Sequence, residues 1–363
     1  MNSSPKVYLF VGTHKGAFIF TSNLDRKRWD VRGPLQKGSD VNFLMLDTRE
    51  EPVLYACRND YWWGQGVQFS RDYGETWDEP AEQFKFSEGS GLTVEKVWLV
   101  APASAQEPDV LYAGVAPAAL FKSEDRGLTW REVTALTQHE SRKRWHPGGG
   151  GLMVHSICPD HQNTQNLCVG ISAAGCFATE DGGATWEPRN KGVRADFLPD
   201  TLPEVGQCVH HMESHPARSG VLYQQNHCGV YRSDNAGRDW EDISEGLTGR
   251  IGFPLVVHPR DIDTLYVIPV ESDSFRCPVD GKFIVFRSRD RGDSWQALTN
   301  GLPAENAWLT VLRHAFTADT CESLGLYLGT NTGQIYYSLD AGDTWETLAE
   351  HLPPIYSVSC SIV

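Results

Sequence analysis

Ser123-Glu124-Asp125-Arg126-Gly127-Leu128-Thr129-Trp130 is one of six similar octapeptides in this chain of 363 residues. Each copy starts with Ser or Thr, has Asp or Asn third and Gly fifth, and ends in Trp. A seventh copy is degenerate, because Leu24 and Arg26 replace the Asp and the Gly between Ser22 and Trp29. The copies recur about every 50 residues. This period, filled with short strands, predicts an all-β fold, a seven-bladed β-propeller.

The chemistry of the octapeptide predicts a tight turn followed by a strand. An Asp or Asn side chain accepts hydrogen bonds from backbone N–H groups further along the turn, and Gly supplies a positive φ. The Trp is expected to pack between neighbouring sheets. The residues that should hold the six turns are Asp72, Asp125, Asp181, Asn235, Asp290 and Asp340.

This motif resembles the Asp-box, or BNR repeat, of sialidases, sortilin-type receptors, a photosystem II assembly factor and many proteins loosely labelled glycosyl hydrolases. The resemblance covers the whole chain. It implies the fold and leaves the function open, because the box recurs on propellers with unrelated activities.

The start of the chain predicts how the ring closes. Tyr8–Gly12 has the pattern of the second strand of a blade, and no first strand precedes it. We expect residues 355–362 to supply that strand, so that residues 1–363 form one propeller. Closure would remove exposed sheet edges, which otherwise favour aggregation.

Charge and composition exclude several classes of protein. A net charge of −15 argues against nucleic acids and anionic membrane surfaces as partners. No apolar run approaches the length of a membrane span, and residues 1–8 lack a signal-peptide core. The nine cysteines include no Cys-x-x-Cys pair, so we expect reduced thiols and a cytoplasmic location.

The strand order predicts where functional residues gather. With strand one innermost, the Asp-boxes lie at the outer edge of one face. The opposite rim is then built from the loops that enter strand one and the loops that join strands two and three. By analogy with other propellers, a ligand site is expected at this rim, over the central channel.

Histidines are concentrated at this rim. His155 and His210 each stand 13 residues before a strand-two residue, in the register that Asn42 and Phe253 also hold. Loops between strands two and three add two more, so a divalent or copper ion could be held by His14, His155, His210 and His227. The alternative is that these side chains only bind water and backbone, since no short zinc spacing is present.

Insertions add further candidates. The basic and aromatic segment 137–147 runs into four glycines and is interpreted either as a lid over an anionic or planar ligand or as an ordered loop paired with the acidic surface. Tyr61, Trp62 and Trp63 are interpreted as a stacking platform for a sugar or as packing against the next blade. The candidate catalytic residues are Glu95, His155, His210 and Asp196, and the candidate ligand-binding residues are His14, His227, Arg144, Trp145, Arg194, Gln207 and Asn226.

Three classes of function remain open. The first is a sialidase-like or glycosyl-hydrolase-like propeller that binds a small polar molecule or a sugar at the channel mouth, and glycosidic or ester hydrolysis is open to this class. True sialidase activity is not expected, because the Arg-Ile-Pro-type motif of that family is absent. The second is a metal-dependent enzyme that uses the rim histidines, and the third is a non-catalytic propeller with a protein partner. No cofactor is certain beyond the candidate ion.

Overall fold

Seven antiparallel sheets form a ring in the computed structural model, which describes residues 4–363. Residues 1–3, part of the segment without a signal-peptide core, lie outside the described residues. No helix of the described chain has both the length and the apolar character needed to cross a membrane. The chain is a seven-bladed β-propeller built on Asp-box turns.

The strands follow one another blade by blade. Blade one contains β1 (Lys6–Thr13), β2 (Gly16–Asn23) and β3 (Asp30–Leu35), and blade two contains β4 (Asp40–Asp47), β5 (Val53–Asp60) and β6 (Gly64–Ser70). Blade three contains β7 (Lys96–Pro102), β8 (Leu111–Ala116), β9 (Ala119–Ser123) and β10 (Arg131–Glu132). Blade four contains β11 (Val154–Pro159), β12 (Leu167–Ile171), β13 (Gly175–Thr179) and β14 (Glu187–Pro188).

The remaining blades repeat this order. Blade five contains β15 (Val209–Ser214), β16 (Leu222–Asn226), β17 (Gly229–Ser233) and β18 (Glu241–Asp242). Blade six contains β19 (Gly252–Val257), β20 (Leu265–Pro269), β21 (Val285–Ser288) and β22 (Gln296–Leu298). Blade seven contains β23 (Phe316–Ala318), β24 (Leu326–Gly329), β25 (Ile335–Ser338) and β26 (Glu346–Ala349), and β27 (Ile355–Ile362) follows. One short helix, α1 (Thr134–Thr137), and two 3₁₀ helices, Glu140–Arg144 and Val279–Gly281, lie in insertions.

The ring closes through β27, as the sequence predicts. This strand pairs antiparallel with β1, from Val7 opposite Ile362 to Thr13 opposite Ile355. β27 therefore becomes the innermost strand of blade one and packs against β4 and β23, the innermost strands of its two neighbours. Neighbouring blades approach closely here. This is shown by Gly12, where a Cβ atom would collide with the Val41 carbonyl.

The Asp-box turns share one hydrogen-bond pattern. In the third blade, Asp125 Oδ1 accepts the Thr129 N–H at 2.9 Å and Oδ2 accepts the Thr129 hydroxyl at 2.6 Å. The Ser123 hydroxyl donates to the carboxylate and accepts the N–H of Gly127, whose φ is +85°. Asn235 keeps the pattern with its polarity changed, because its side-chain N–H donates to Asp239 at 2.9 Å.

The hydrophobic cores lie between neighbouring sheets. Tyr55 of blade two packs with Val97 and Leu111 of blade three. The Asp-box tryptophans extend these contacts, since Trp240 Nε1 donates to the Arg189 carbonyl of blade four and Trp295 Nε1 to the Ile243 carbonyl of blade five. The expected packing of the indoles between sheets is confirmed at these positions.

A buried ion pair replaces the missing Asp-box contacts of blade one. Two strand-two tyrosines bind the box of the next blade: Tyr55 donates to the Arg126 carbonyl at 2.7 Å and Tyr266 to the Ala341 carbonyl at 3.1 Å. Tyr327 instead donates to Asp319 at 2.9 Å, and Asp319 pairs with Arg26 at 2.8 Å. Arg26 stands where the other boxes have Gly, so its side chain takes over a contact that the degenerate turn has lost.

Asp125→Ala should lower the free energy of unfolding by about 1–2 kcal/mol, because it removes three hydrogen bonds from one turn. Asp125→Asn is the matched control, since Asn235 already fills this position, and it should cost less. Urea unfolding of the three proteins measures the difference. Equal losses for the two variants would contradict this account of the turn.

Acid should weaken the turns together. Hydrogen bonds from Thr76 to Asp72 and from Thr185 to Asp181 lower the pKa of each carboxyl to about 2. A carboxyl with a lowered pKa contributes stability above its unfolded-state pKa of about 4 and loses it as the pH falls to its folded-state pKa. The urea concentration at the unfolding midpoint should therefore decrease as the pH is lowered from 4 to 2. The decrease should be smaller in a D72N/D181N double variant. If the urea midpoint depended on pH in the same way in the parent and in the double variant, these two turns would not be the source of the acid sensitivity.

Candidate functional site

A β-bulge near the start of the innermost strand recurs in six blades. The pairing of strand one with strand two skips a residue there, as between Val209 and His211 in blade five. Such bulges redirect side chains. The skipped residues are Asn42, Trp98, His155, His210, Phe253 with Pro254, and Tyr356. The 13-residue register found in the sequence therefore corresponds to a structural feature.

Five of these bulge residues line a cavity of about 280 Å³ at the channel mouth: Asn42, Trp98, His210, Phe253 and Tyr356. Further lining residues come from the starts of other innermost strands, from blade seven, and from the loops between strands two and three. They include Lys96, Cys208, His227, Asp273, Arg276 and Arg313. The cavity thus lies at the rim that the strand order predicts, and we call it the mouth cavity.

Positive charge dominates the mouth cavity. Lys96, Arg276 and Arg313 line it, and within residues 4–363 none of the three has a carboxylate oxygen within 4.0 Å. Burial lowers the pKa of Arg313 to about 10. Burial also lowers the pKa of Lys96, against an opposing effect of Asp40, and the charge of Arg313 adds to the lowering. These cations are concentrated on a chain whose net charge is −15.

Aromatic rings hold the cations in place. Lys96 Nζ lies 5.0 Å from the centre of the Trp98 ring, and the Arg313 guanidinium lies 5.4 Å from the same ring. Arg276 lies 5.5 Å from the Phe253 ring. Such cation–π contacts stabilise a cation without neutralising it. The charges therefore remain available to a ligand.

Three residues of the cavity have a buried polar atom without a partner in the described chain. These atoms are the Trp98 indole N–H, the Asn42 side-chain oxygen and His314 Nε2. A buried polar group without a hydrogen bond costs free energy, so such groups usually meet water or a ligand. The wall of the cavity thus contains an unpaired donor and an unpaired acceptor close to its cations.

Blade five brings Cys208, His210 and His227 together. One ligating atom from each lies within 4.8 Å of the others. His210 Nδ1 donates to the Gly252 carbonyl at 2.6 Å, and its ring stacks on Phe253. Burial and the charge of Arg313 lower the pKa of His210 to about 3, so its imidazole is neutral near pH 7.

His155 does not line the mouth cavity. Its side chain is fully buried, and its Nε2 donates to the Val209 carbonyl at 2.8 Å. The position corresponds to that of His210, but the ring bridges blade four to the backbone at the blade-five bulge. Burial lowers its pKa well below the usual range, which keeps it neutral. The expected placement at the channel mouth is thus corrected to a link between blades.

His14 and Glu95 lie outside the cavity lining. His14 is half-exposed, pairs with Asp40, and binds the Tyr356 hydroxyl, through which it borders the cavity. Glu95 is exposed, and its backbone N–H bonds to Ala116. The four histidines considered for one metal ion therefore do not form a single cluster, because His14 and His155 stand apart from the other two.

The segment 137–147 is ordered against the protein, and two of the glycines that follow it, Gly149 and Gly150, line the mouth cavity. Trp145 is buried, packs on Phe177, and donates to Ser141 at 2.9 Å. Arg144 pairs with Glu204 at 2.6 Å. These contacts fit the alternative interpretation, an ordered loop, in which Arg144 pairs with an acidic group and Trp145 is buried.

The other predicted ligand-binding residues serve local structure. Arg194 pairs with Asp196 at 2.7 Å in an exposed loop. Gln207 is fully buried and donates to the Val193 and Pro203 carbonyls. Asn226, at the end of β16, accepts the Cys228 N–H and shapes the turn that carries His227.

The segment Tyr61–Trp63 projects into solvent. These three side chains, in the hairpin between β5 and β6, are 90%, 82% and 81% exposed. The expectation that they pack against the next blade is therefore not met. They remain a candidate platform on the same face as the mouth cavity, since this hairpin joins strands two and three.

Two other depressions differ in chemistry from the mouth cavity. A cavity of about 310 Å³ continues the channel on the other side of His314 and contains His211 and Glu213, which bind each other at 3.1 Å. A groove of about 540 Å³ runs between the Asp-boxes of blades three and four. Its Asp125 and Asp181 are already engaged by their own turns.

Sequence reasoning missed the cations of the cavity. Lys96, Arg276 and Arg313 are not among the residues predicted from the sequence. One signal was present: counting 13 residues back from Tyr327 in blade seven leads to His314, next to Arg313. The start of this innermost strand is irregular, because β23 begins only at Phe316, which obscured the repeat.

Comparisons with known proteins agree with the fold. A family model described as Sortilin-Vps10 (sortilin, neurotensin receptor 3) matches residues 228–357. An oligoxyloglucan-reducing end-specific xyloglucanase of Emericella nidulans is 26% identical over 323 residues, which are 76% of this chain and 36% of the relative. A probable enzyme of the same kind from Neosartorya fischeri is 25% identical over 225 residues, 52% of this chain and 25% of that relative.

Solved structures show the same architecture at low identity. The crystal structure of an ancestral GH74 enzyme superposes with a TM-score of 0.60 at 17% identity, over 85% of this chain and 38% of that one. YCF48 bound to a D1 peptide gives 0.52 at 13% identity, over 90% and 85%. The chain spans about a third of the length of the Emericella relative. It is thus a propeller similar to glycoside hydrolases, at low identity.

His155→Ala should lower the free energy of unfolding by about 1–3 kcal/mol, because it leaves the buried Val209 carbonyl without its donor. His14→Ala, at the half-exposed rim, is the control and should change stability little. Thermal and urea unfolding provide the measurement. A His155→Ala protein as stable as the parent would contradict the bridging role.

Proposed function

We propose that this propeller binds a small anionic, hydroxylated molecule in the mouth cavity. The observation that carries the proposal is the group of three cations, Lys96, Arg276 and Arg313, without carboxylate partners in the described chain. The volume of about 280 Å³ lies just below the usual range for small-molecule pockets, about 300–1,000 Å³. A metabolite fits this space better than a polymer.

Mutual repulsion supports an anion as the ligand. Arg313 and Lys96 lie over the same Trp98 ring, and the charge of Arg313 helps to lower the pKa of Lys96. Bringing a carboxylate or phosphate between them would relieve this repulsion and replace lost hydration. Charge-assisted hydrogen bonds of this kind are roughly twice as strong as neutral ones.

Unpaired neutral groups support a hydroxylated ligand. The Trp98 N–H can donate to a ligand oxygen, and the Asn42 side-chain oxygen can accept a hydroxyl. A ligand that carries both an acid group and hydroxyls, such as a sugar phosphate or a sugar acid, satisfies both and the cations. Free thiols at all nine cysteines support a reducing compartment, and we propose the cytoplasm.

A neutral sugar is the second candidate, with the exposed segment Tyr61–Trp63 as its binding surface. The similarity to xyloglucanases favours it. Hydrolysis by paired carboxylates is less well supported, because most glycosidases need two carboxyl groups across the bond. Among the described residues that line the mouth cavity, Asp273 is the one carboxylate.

Calorimetric titration with sugar phosphates, sugar acids and neutral oligosaccharides of similar size tests the proposal. We expect the acidic ligands to bind and the affinity to fall as salt is raised. Lys96→Met and Arg313→Met should each weaken binding at least tenfold, because a hydrogen bond to a charged group is worth about 1.5–3 kcal/mol.

Arg194→Met is the matched control, since this rim arginine pairs with Asp196 outside the cavity. Lys96→Met also provides a check on folding. Because Lys96 Nζ makes no hydrogen bond within residues 4–363, the free energy of unfolding of this variant should be unchanged or higher. Anion affinity that survives both cavity substitutions would refute the proposal. Binding of neutral oligosaccharides alone, lost in Trp62→Ala, would favour the second candidate.

A further inference from the structure

We propose that Cys208, His210 and His227 form a binding site for one Zn²⁺ ion at the wall of the mouth cavity. The proposal does not rest on the anionic ligand, because the three residues and the three cations are different side chains. It concerns a set of ligands confined to blade five and not the ring of four histidines considered from the sequence.

The backbone of blade five holds the three residues together. Cys208 lies directly before β15, His210 is the bulge residue of that strand, and His227 lies in the turn between β16 and β17. The His227 N–H donates to the Cys208 carbonyl at 3.0 Å, which ties the turn to the start of β15. Their ligating atoms already lie within 4.8 Å of one another, so modest side-chain rotations bring them to a common ion.

The hydrogen bond of His210 prepares it as a ligand. Its Nδ1 donates to the Gly252 carbonyl at 2.6 Å, which leaves the lone pair on Nε2. Histidines that bind metals commonly donate their other ring N–H to a carbonyl or a carboxylate, which fixes the ring and its tautomer. Stacking on Phe253, with ring centres 4.8 Å apart, restricts the ring further.

A fourth group stands beside the cluster. Asp273 Oδ2, in the loop after β20, lies 3.8 Å from His227 Nε2. A thiolate, two imidazoles and a carboxylate match the ligand types that bind Zn²⁺ in tetrahedral sites. Alternatively, Asp273 keeps its contact with His227 and the fourth position is left to water or to an anion from the cavity.

Charge around the cluster is compatible with a thiolate–metal pair. A thiolate at Cys208 would be attracted by the Arg313 guanidinium, and its negative charge would offset the repulsion between that guanidinium and the ion. On binding, the thiol proton leaves to solvent and the sulfur lone pair is donated to the metal. Zn²⁺ suits this mixed sulfur and nitrogen set, and Co²⁺ occupies similar sites with a visible spectrum.

Titration of the chelator-treated full chain with Co²⁺, under a non-thiol reductant and without any anion ligand, tests the site. We expect one equivalent to bind, with a sulfur-to-cobalt charge-transfer band and tetrahedral visible bands, and one equivalent of Zn²⁺ to displace it. Cys208→Ser should remove the charge-transfer band, and His227→Ala should weaken Co²⁺ binding at least tenfold. Both residues are partly exposed, so these variants are expected to fold.

Cys277→Ser and His14→Ala are the controls, because they remove a cysteine and a rim histidine outside the cluster. Both should leave the spectrum and the affinity unchanged. Absence of stoichiometric Co²⁺ binding, or a charge-transfer band that persists in Cys208→Ser, would overturn the proposal. Since anion binding is measured in a separate titration of the metal-free protein, either proposal can fail without the other.

Discussion

The Asp-box carboxylate is the constraint on which the blades depend, because it holds the turn between strands three and four by accepting an N–H and a hydroxyl from one residue. At Asp125 both bonds go to Thr129. This turn fixes the outer part of a sheet, and the bulges that redirect Trp98, His210 and Tyr356 lie in the innermost strand.

The bulges also explain how the ring is joined around the channel. A bulge leaves backbone carbonyls unpaired within its own sheet, and a side chain of another blade satisfies them. His155 donates to Val209, His210 donates to Gly252, and Arg313 donates to the His210 carbonyl at 2.8 Å. The same residues thus connect the blades and shape the cavity, so binding groups and structural groups are interleaved there.

The fold could be predicted from the sequence because it depends on local patterns. One is a turn repeated at a fixed period, and the other is a strand missing before Tyr8 that residues 355–362 supply. The 13-residue register also led to His210, which lines the cavity, and to His155, which does not. Register alone does not give the direction of a bulged side chain, and composition did not show that Trp145 packs inward. The cations were missed because their significance depends on the lack of a partner, which only the structure shows.

Tyr356 gives the closing strand a second consequence. It is the bulge residue of β27 and lines the mouth cavity. Lys96 Nζ lies 5.3 Å from the centre of its ring. The cavity is therefore complete only when β27 has paired with β1, more than three hundred residues away along the chain. A ligand in this cavity would bind the closed ring and not the open one, so by mass action it would stabilise the closed ring. Occupancy of the channel mouth would then make separation of β1 and β27 less favourable.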